Sequence, residues 1–394
     1  MVERAVIIAA RRTPVAPRGG AFKHLQADEL AAPVLTRVLE DAAVSADEVD
    51  YIILGNALYG GGNPARLAAL RAGIPQTVPA MTIDTQCCSG LDAVIIGVRM
   101  IEAGAASCVI AGGAESFSRA PIRMHRPIGQ NTQPIQYDRP AFAPPPFADP
   151  DLAEAALNLA DRERVPRKAQ AEFAVSSHEK ALSAAEQISE HLVRPPGTDL
   201  TRDAFGRALQ LKTAMKAPVL AGSQETGLSA ATIACEADAA AAVLLVSENR
   251  AAKLAKYGLL VTNALSGGGD PSDPALVPIQ LARDLVKDGP VSVSELDAVE
   301  LQEAYAVQAM VSADRLAIAP KILNQMGGAL ARGHPIGASG AILAVNLFQT
   351  LVQNTGSKST DRLKGIALIA AAGGLASGIA VEAKTPKPDK ALTS

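Results

Sequence analysis

CCSGLDAVIIGV, residues 87–98, runs from a pair of cysteines into an apolar stretch with helical spacing and on to the strand-like CVIAGG at 108–113. Residues 334–374 repeat that plan: His334, then ASGAILAVNLF at 338–348, then ALIAAAGG at 367–374. In each copy a chemically reactive side chain stands where a helix begins and a buried strand follows. Two related halves packed about a pseudo-twofold axis bring the two helix entries together, and with them Cys87 and His334. The repeat therefore predicts a duplicated α/β architecture.

The remaining sequence fits around this pair. RAVIIAA (4–10), VDYIILGNA (49–57) and AMTIDTQ (80–86) read as buried strands, with helices near 28–44 and 89–103 between them. The rhythm returns from LDAVELQEAY (296–305) and closes with SGIAVEA at 377–383, leaving a Lys/Pro-rich tail after Glu382 that is expected to fray. Between the halves the texture changes: RPAFAPPPFADPD at 139–151 is Pro-rich loop, followed by polar helical patterns at about 151–163 and 167–189, the second opened by Pro166. Residues 1–117, completed by about 238–255, are read as the first half, 118–237 as an inserted segment, and 256–394 as the second half.

Composition narrows the function. The 394 residues are 48% apolar and 3% aromatic with a net charge of -3, enough chain for a large core and without the basic footprint of a nucleic-acid or anionic-membrane binder. Four cysteines, at 87, 88, 108 and 235, have neither zinc-site nor disulfide-framework spacing. The N-terminal MVERAVIIAARRTPV does not read as a signal peptide, and no apolar run approaches the roughly 20 residues of a membrane span. A cytoplasmic enzyme of small-molecule chemistry is expected, without metal, and the lack of a Gly-x-Gly-x-x-Gly after the first strand excludes a dinucleotide site.

A cysteine just before a helix has unpaired N–H groups and the macrodipole nearby, so the Cys87 thiol is expected to have a lowered pKa. Ser89 and Gly90 leave room for a substrate carbonyl, and backbone N–H groups there suit an oxyanion hole. GGALARGHPIGASG at 327–340 places His334 among Gly and Pro that fix an irregular backbone, as general acid/base work requires. Cysteine with histidine is a recurrent nucleophilic pairing. Taken singly, a Cys-Cys in an apolar run reads more readily as packing, and a His in a Gly-rich loop as a turn residue. Their equivalent places in two halves raise them above that. Cys108 and Cys235 are expected to pack, and His24, His125, His178 and His191 to face solvent.

These motifs resemble those of the thiolases. ARRTPVAPRGGAFKHLQADEL (10–30), CCSGLDA, AGGAESFSRAP (111–121) and GGALARGHPIGASG are similar to that family's segments over nearly the whole chain. The resemblance implies a five-layered α-β-α-β-α fold and an inserted loop domain that holds coenzyme A. It further implies a homodimer or homotetramer acting on acyl-CoA, with a coenzyme A thioester as substrate and no permanently bound cofactor, in fatty acid metabolism. By the same match Cys87 is the acyl-accepting nucleophile and His334 its base. Cys88 fills a slot usually held by Ala or Ser, with some scope for redox sensitivity. Ser89, Gly90, Ala234, Gly333, Ala370 and Gly373 fall on the substrate side.

The departures are specific. Thiolases carry a second cysteine in Cys-x-Gly-Gly-Gly, and GIALIAAAGGLASGIAVE (365–382) puts Ala370 there. Their Asn-Glu-Ala-Phe is QEAYA here, so Gln302 stands where an Asn would hold an oxyanion-hole water. Asp149 and Pro150 replace a Met-Gly, and Ala234 replaces a Ser near coenzyme A. Three readings follow: an acyl-CoA acyltransferase with an altered Claisen or thiolysis step; the same acyl-enzyme discharged to water, an alcohol, an amine or an activated carbon acid; or a non-catalytic acyl-CoA-binding partner subunit.

Overall fold

The computed structural model describes residues 3–129, 132–254, 258–287, 293–354 and 363–384, so most of the tail after Glu382 lies outside the described residues. Two helices, Ser89–Glu102 and Ile336–Asn354, pack against each other through the middle of the molecule. Glycine makes their contact possible: a Cβ at Gly90 would lie 2.7 Å from the Gly337 carbonyl oxygen, and one at Gly340 would lie 2.5 Å from the Leu91 nitrogen. The helix entries therefore meet backbone to backbone.

The sheets wrap this pair. In the first half the order is Ala80–Ile83, Tyr51–Gly55, Cys108–Ser116, Ala237–Ser247 and Ala5–Arg12; the second continues with Gly258–Gly268, Leu375–Lys384, Lys364–Ala371 and Ala298–Leu301. Among the described residues the sheets of the two halves are joined edge to edge where Val6 meets Leu260 and Ile7 meets Leu259. Residue alternation along each strand feeds two different layers. Ile7, Ile53, Val109, Val243 and Leu245 face the central helices, whereas Val6, Ile8, Ile52, Ile110 and Leu244 pack outward with residues of the helix Ala27–Ala42. In the second half Ala367, Ile369 and Val381 point inward, while Ile366, Leu368 and Ala380 pack with the helices Val277–Lys287 and Ala306–Arg315. Helix, sheet, helix, sheet, helix is the α-β-α-β-α layering that the family resemblance implies.

Ala80–Ile83, expected to be buried, is a half-buried strand at the end of the sheet order. The inserted segment contributes the helices Leu152–Arg162 and Arg167–Ser183, which seat on Ala306–Arg315. The second of these breaks at Ala184 before a short turn Ala185–Ser189, where the sequence pattern had suggested one helix. Among the described residues no helix is long and apolar enough to cross a membrane.

Candidate active site

The turn carrying Cys87 is wound tightly between strand and helix. Gln86 has φ 57°, a left-handed conformation that costs a non-glycine residue, and Asp84 holds it by accepting the Gln86 N–H at 2.9 Å. The Ser89 hydroxyl donates to the Gln86 carbonyl at 2.6 Å and accepts the Thr85 N–H at 2.8 Å. Asp92, one turn further on, accepts from Thr85 Oγ1 at 2.5 Å, from Ser266 Oγ at 2.5 Å and from Ser377 Oγ at 2.6 Å. The last two belong to strands of the second half, so the Cys87 turn of one half is pinned to the other.

His334 is positioned by a loop with two buried supports. Gly333, at φ 110°, lets the His334 N–H reach the Cys235 carbonyl at 2.8 Å, where a Cβ would come within 2.8 Å of Ala237. Glu115 accepts from the backbone N–H groups of Gly337 at 2.9 Å and Ala57 at 3.0 Å, and burial pushes its carboxyl up to about 7. Glu303 accepts from Asn324 Nδ2 at 2.6 Å and Ser177 Oγ at 2.7 Å beneath Gly328, which has no side chain to collide with it. The sequence reading did not single out either glutamate. The signal was available: Glu115 is a lone acid in the apolar run AGGAES, and Glu303 is one of two acids in the strand-and-loop run ELQEAY.

The two loops place His334 Nε2 3.2 Å from Cys87 Sγ. Nδ1 lies 2.6 Å from Ser339 Oγ and 2.8 Å from Gln302 Nε2. Burial, reinforced by the Arg332 guanidinium, brings His334 down to about 4. The expected lowering of the Cys87 pKa does not occur: burial pushes the thiol up to about 12, against the opposing pull of the Cys87 and Ala372 N–H groups. Both partners are neutral near pH 7. The N–H groups at the sulfur are those of Cys87 and Ala372, not the expected ones of Ser89 and Gly90.

A cavity of about 310 Å³ opens beside this pair, and Gln302, Ala234 and Ala370 line it together with Cys87 and His334. Four positions expected on the substrate side do not line it. Ser89 is engaged within the turn, Gly90 meets the partner helix, Gly333 passes against Ala237, and Gly373, at φ 78°, turns the chain beside Phe142. Tyr305, Gln308 and Ala372 line the cavity without having been anticipated. Cys88 is fully buried with its sulfur 3.7 Å from the Ile369 carbonyl. His178 is buried rather than solvent-facing; its Nδ1 accepts the Arg207 N–H at 3.4 Å. In the inserted segment a second cavity, of about 270 Å³, is lined by Arg207, Lys216 and Thr213.

Residues 5–249 match the thiolase N-terminal domain and residues 255–383 the thiolase C-terminal domain. The chain belongs to the thiolase family. This thiolase is 35% identical over 371 residues to the putative acetyl-CoA C-acetyltransferase VraB of Staphylococcus aureus (strain MSSA476), covering 90% of this chain and 95% of that one. It is 38% identical over 352 residues to the putative acetyl-CoA C-acetyltransferase YhfS of Bacillus subtilis (strain 168), covering 87% and 91%. Its fold matches the Bacillus anthracis acetyl-CoA acetyltransferase with a TM-score of 0.88 at 27% identity, over 97% of this chain and 99% of that one. The human mitochondrial 3-ketoacyl-CoA thiolase in complex with CoA gives 0.86 at 25% identity, over 98% and 99%.

Proposed function

We propose that this thiolase takes an acyl group from an acyl-CoA onto Cys87, with His334 as general base, and passes it on by a second step altered by Ala370. The observation that carries the reading is the 3.2 Å contact between His334 Nε2 and Cys87 Sγ at the wall of a cavity. As sulfur attacks the thioester carbonyl, its proton moves to Nε2; the carbonyl oxygen becomes an oxyanion beside the Cys87 and Ala372 N–H groups. Collapse breaks the bond to coenzyme A, whose sulfur leaves with the proton from Nε2.

Base action at Nε2 requires the histidine's other proton on Nδ1. The Ser339 hydroxyl donates to the Pro335 carbonyl at 3.1 Å, leaving a lone pair to accept from Nδ1–H. Gln302 serves the same tautomer when the oxygen and nitrogen of its amide are exchanged, an orientation that follows from the hydrogen-bond network. Arg207 and Lys216 give the cavity in the inserted segment the charge that a coenzyme A phosphate needs.

In the second step an acceptor attacks the acyl-enzyme, its proton passes to Nε2, and Cys87 regains a proton from His334. A carbon acceptor needs a further base for its alpha proton. Ala370 offers none, and neither Cys88, Cys108 nor Cys235 lines the cavity. Loss of a positioned acid or base costs about a hundred- to ten-thousandfold, which favours water, an alcohol, an amine or an already acidic carbon as acceptor. A non-catalytic binding role has no use for the Cys87–His334 contact. Intact-protein mass spectrometry after mixing with acyl-CoAs tests this: wild type should gain one acyl mass that Cys87→Ser lacks, and absence of any adduct refutes the reading. Light scattering tests the homodimer or homotetramer that accompanies it.

A further inference from the structure

We propose that the cavity beside Cys87 is built for an acyl group carrying an uncharged hydrogen-bonding substituent, a hydroxyl or a carboxamide, and that the Gln308 amide reads it. The inference rests on Cys87 marking the acyl site.

Gln308 sits in the first turn of the helix Ala306–Arg315 and lines the cavity. It is 5% exposed, and both its Nε2 and its Oε1 are buried without a hydrogen-bond partner. That is a costly state, since a buried amide has exchanged water for nothing. Asn324 avoids it by bonding the Leu301 carbonyl and Glu303, and Gln349 by bonding the Ala10 carbonyl at 2.9 Å, while Asn56, Gln170 and Gln302 leave only the amide oxygen unmet. A glutamine with both ends unmet, on a cavity wall that also carries the apolar Ala155, Ala156 and Ala275, matches a ligand that brings its own donor and acceptor. Tyr305, on the same wall, is kept protonated by burial and adds a donor.

Charge selects further. Among the described residues Glu236 is the one carboxylate on the wall, already bonded to Arg18 at 2.8 Å, and neither lysine nor arginine lines the cavity. A carboxylate on the acyl chain would be desolvated without a counter-ion. The volume of about 310 Å³ is at the small end for ligand sites, which suits a short chain.

The test is calorimetric binding to Cys87→Ala, which cannot be acylated, of hexanoyl-CoA, 3-hydroxyhexanoyl-CoA, 6-hydroxyhexanoyl-CoA, 5-carbamoylpentanoyl-CoA and adipoyl-CoA. At least one neutral polar thioester should bind tenfold or more tighter than hexanoyl-CoA, and adipoyl-CoA weakest. Adding Gln308→Leu, or the equally long Gln308→Met, should bring the polar-to-hexanoyl ratio to about one. The proposal falls if hexanoyl-CoA binds as well as every polar analogue, if the preference survives both substitutions, or if no thioester binds. Absence of an acyl adduct on wild type with this preference intact would refute only the Cys87 chemistry.

Discussion

Replacing His334 by alanine separates two ways of running the nucleophile. With the thiol at about 12 and the imidazole at about 4, the resting site holds a neutral pair. The thiolate fraction of such a thiol is about 10⁻⁵ at pH 7 and about 10⁻³ at pH 9, following from the definition of a pKa. Wild-type acylation then depends on proton transfer to Nε2 during attack, and its rate should be flat between about pH 5 and 9, where neither group titrates. In His334→Ala the only route is the rare thiolate. Acylation at pH 7 should fall about a hundred- to ten-thousandfold, and the residual rate should rise tenfold per pH unit. Quenched-flow mass spectrometry of the Cys87 acyl adduct reads both profiles, and the difference in thiolate absorbance at 240 nm between wild type and Cys87→Ser reads the resting state. A one-thiolate step below pH 8, or a pH-independent His334→Ala rate, would refute the neutral-pair mechanism.

Ala370→Cys should restore a thiol to the cavity wall and raise acetoacetyl-CoA thiolysis at least tenfold; an unchanged rate would remove Ala370 as the cause of an altered second step. Gln308→Leu should stabilise the unliganded protein by about 1–3 kcal/mol by removing an unmet buried amide, seen as a raised urea midpoint, and a lowered midpoint would contradict that assignment. Burial lowers His178 to about 4, below its unfolded value, so the unfolded chain binds the extra proton and stability is lost as pH falls through 6.5 toward 4. The loss is on the order of 2 kcal/mol between pH 7 and 5, and His178→Gln should flatten the slope of urea stability over that range. Glu115 has the opposite sign: raised to about 7, its contribution is present below 4.5 and is lost as pH rises through 7. Glu115→Gln should therefore shrink the decline in stability between pH 4.5 and 7, as measured by urea denaturation.

The duplicated fold was legible because both halves carry their pattern locally: an apolar helix after a reactive residue, then an apolar strand. The meeting of Cys87 with His334 followed from that symmetry. Ser89 and Gly90 were misread for a definable reason. A small residue beside a nucleophile looks the same whether it admits a substrate or packs inward: at Gly90 the occupant is the Gly337 carbonyl, from a segment far along the chain, and the Ser89 hydroxyl is spent on the turn itself. Glu115 and Glu303 went unread because their role is to satisfy backbone and side-chain groups of distant loops. His178 is covered by residues of the inserted segment, Phe205 and Arg207 among them, whose packing has no periodic signal in the sequence.

The Cys87 pKa is the most instructive failure, because the local reasoning behind it holds. N–H groups do point at the sulfur and do pull its pKa down. Burial at the junction of the two halves outweighs them, and burial is a property of the assembled layers that no heptapeptide contains. The consequence runs to function. Oxidation and alkylation follow thiolate character, so under the proposed mechanism Cys87, held as a thiol, would be shielded from both until a thioester carbonyl lies within reach and His334 can take the proton during attack. Cys88 is pushed up by burial as well, which argues against the redox sensitivity its sequence position suggested. In the wild-type protein at pH 7, a general alkylating agent should therefore label neither Cys87 nor Cys88 at the rate of a free thiol, while an acyl-CoA labels Cys87; rapid alkylation of Cys87 would show that the site rests as an ion pair and that the helix entry, not burial, governs its chemistry.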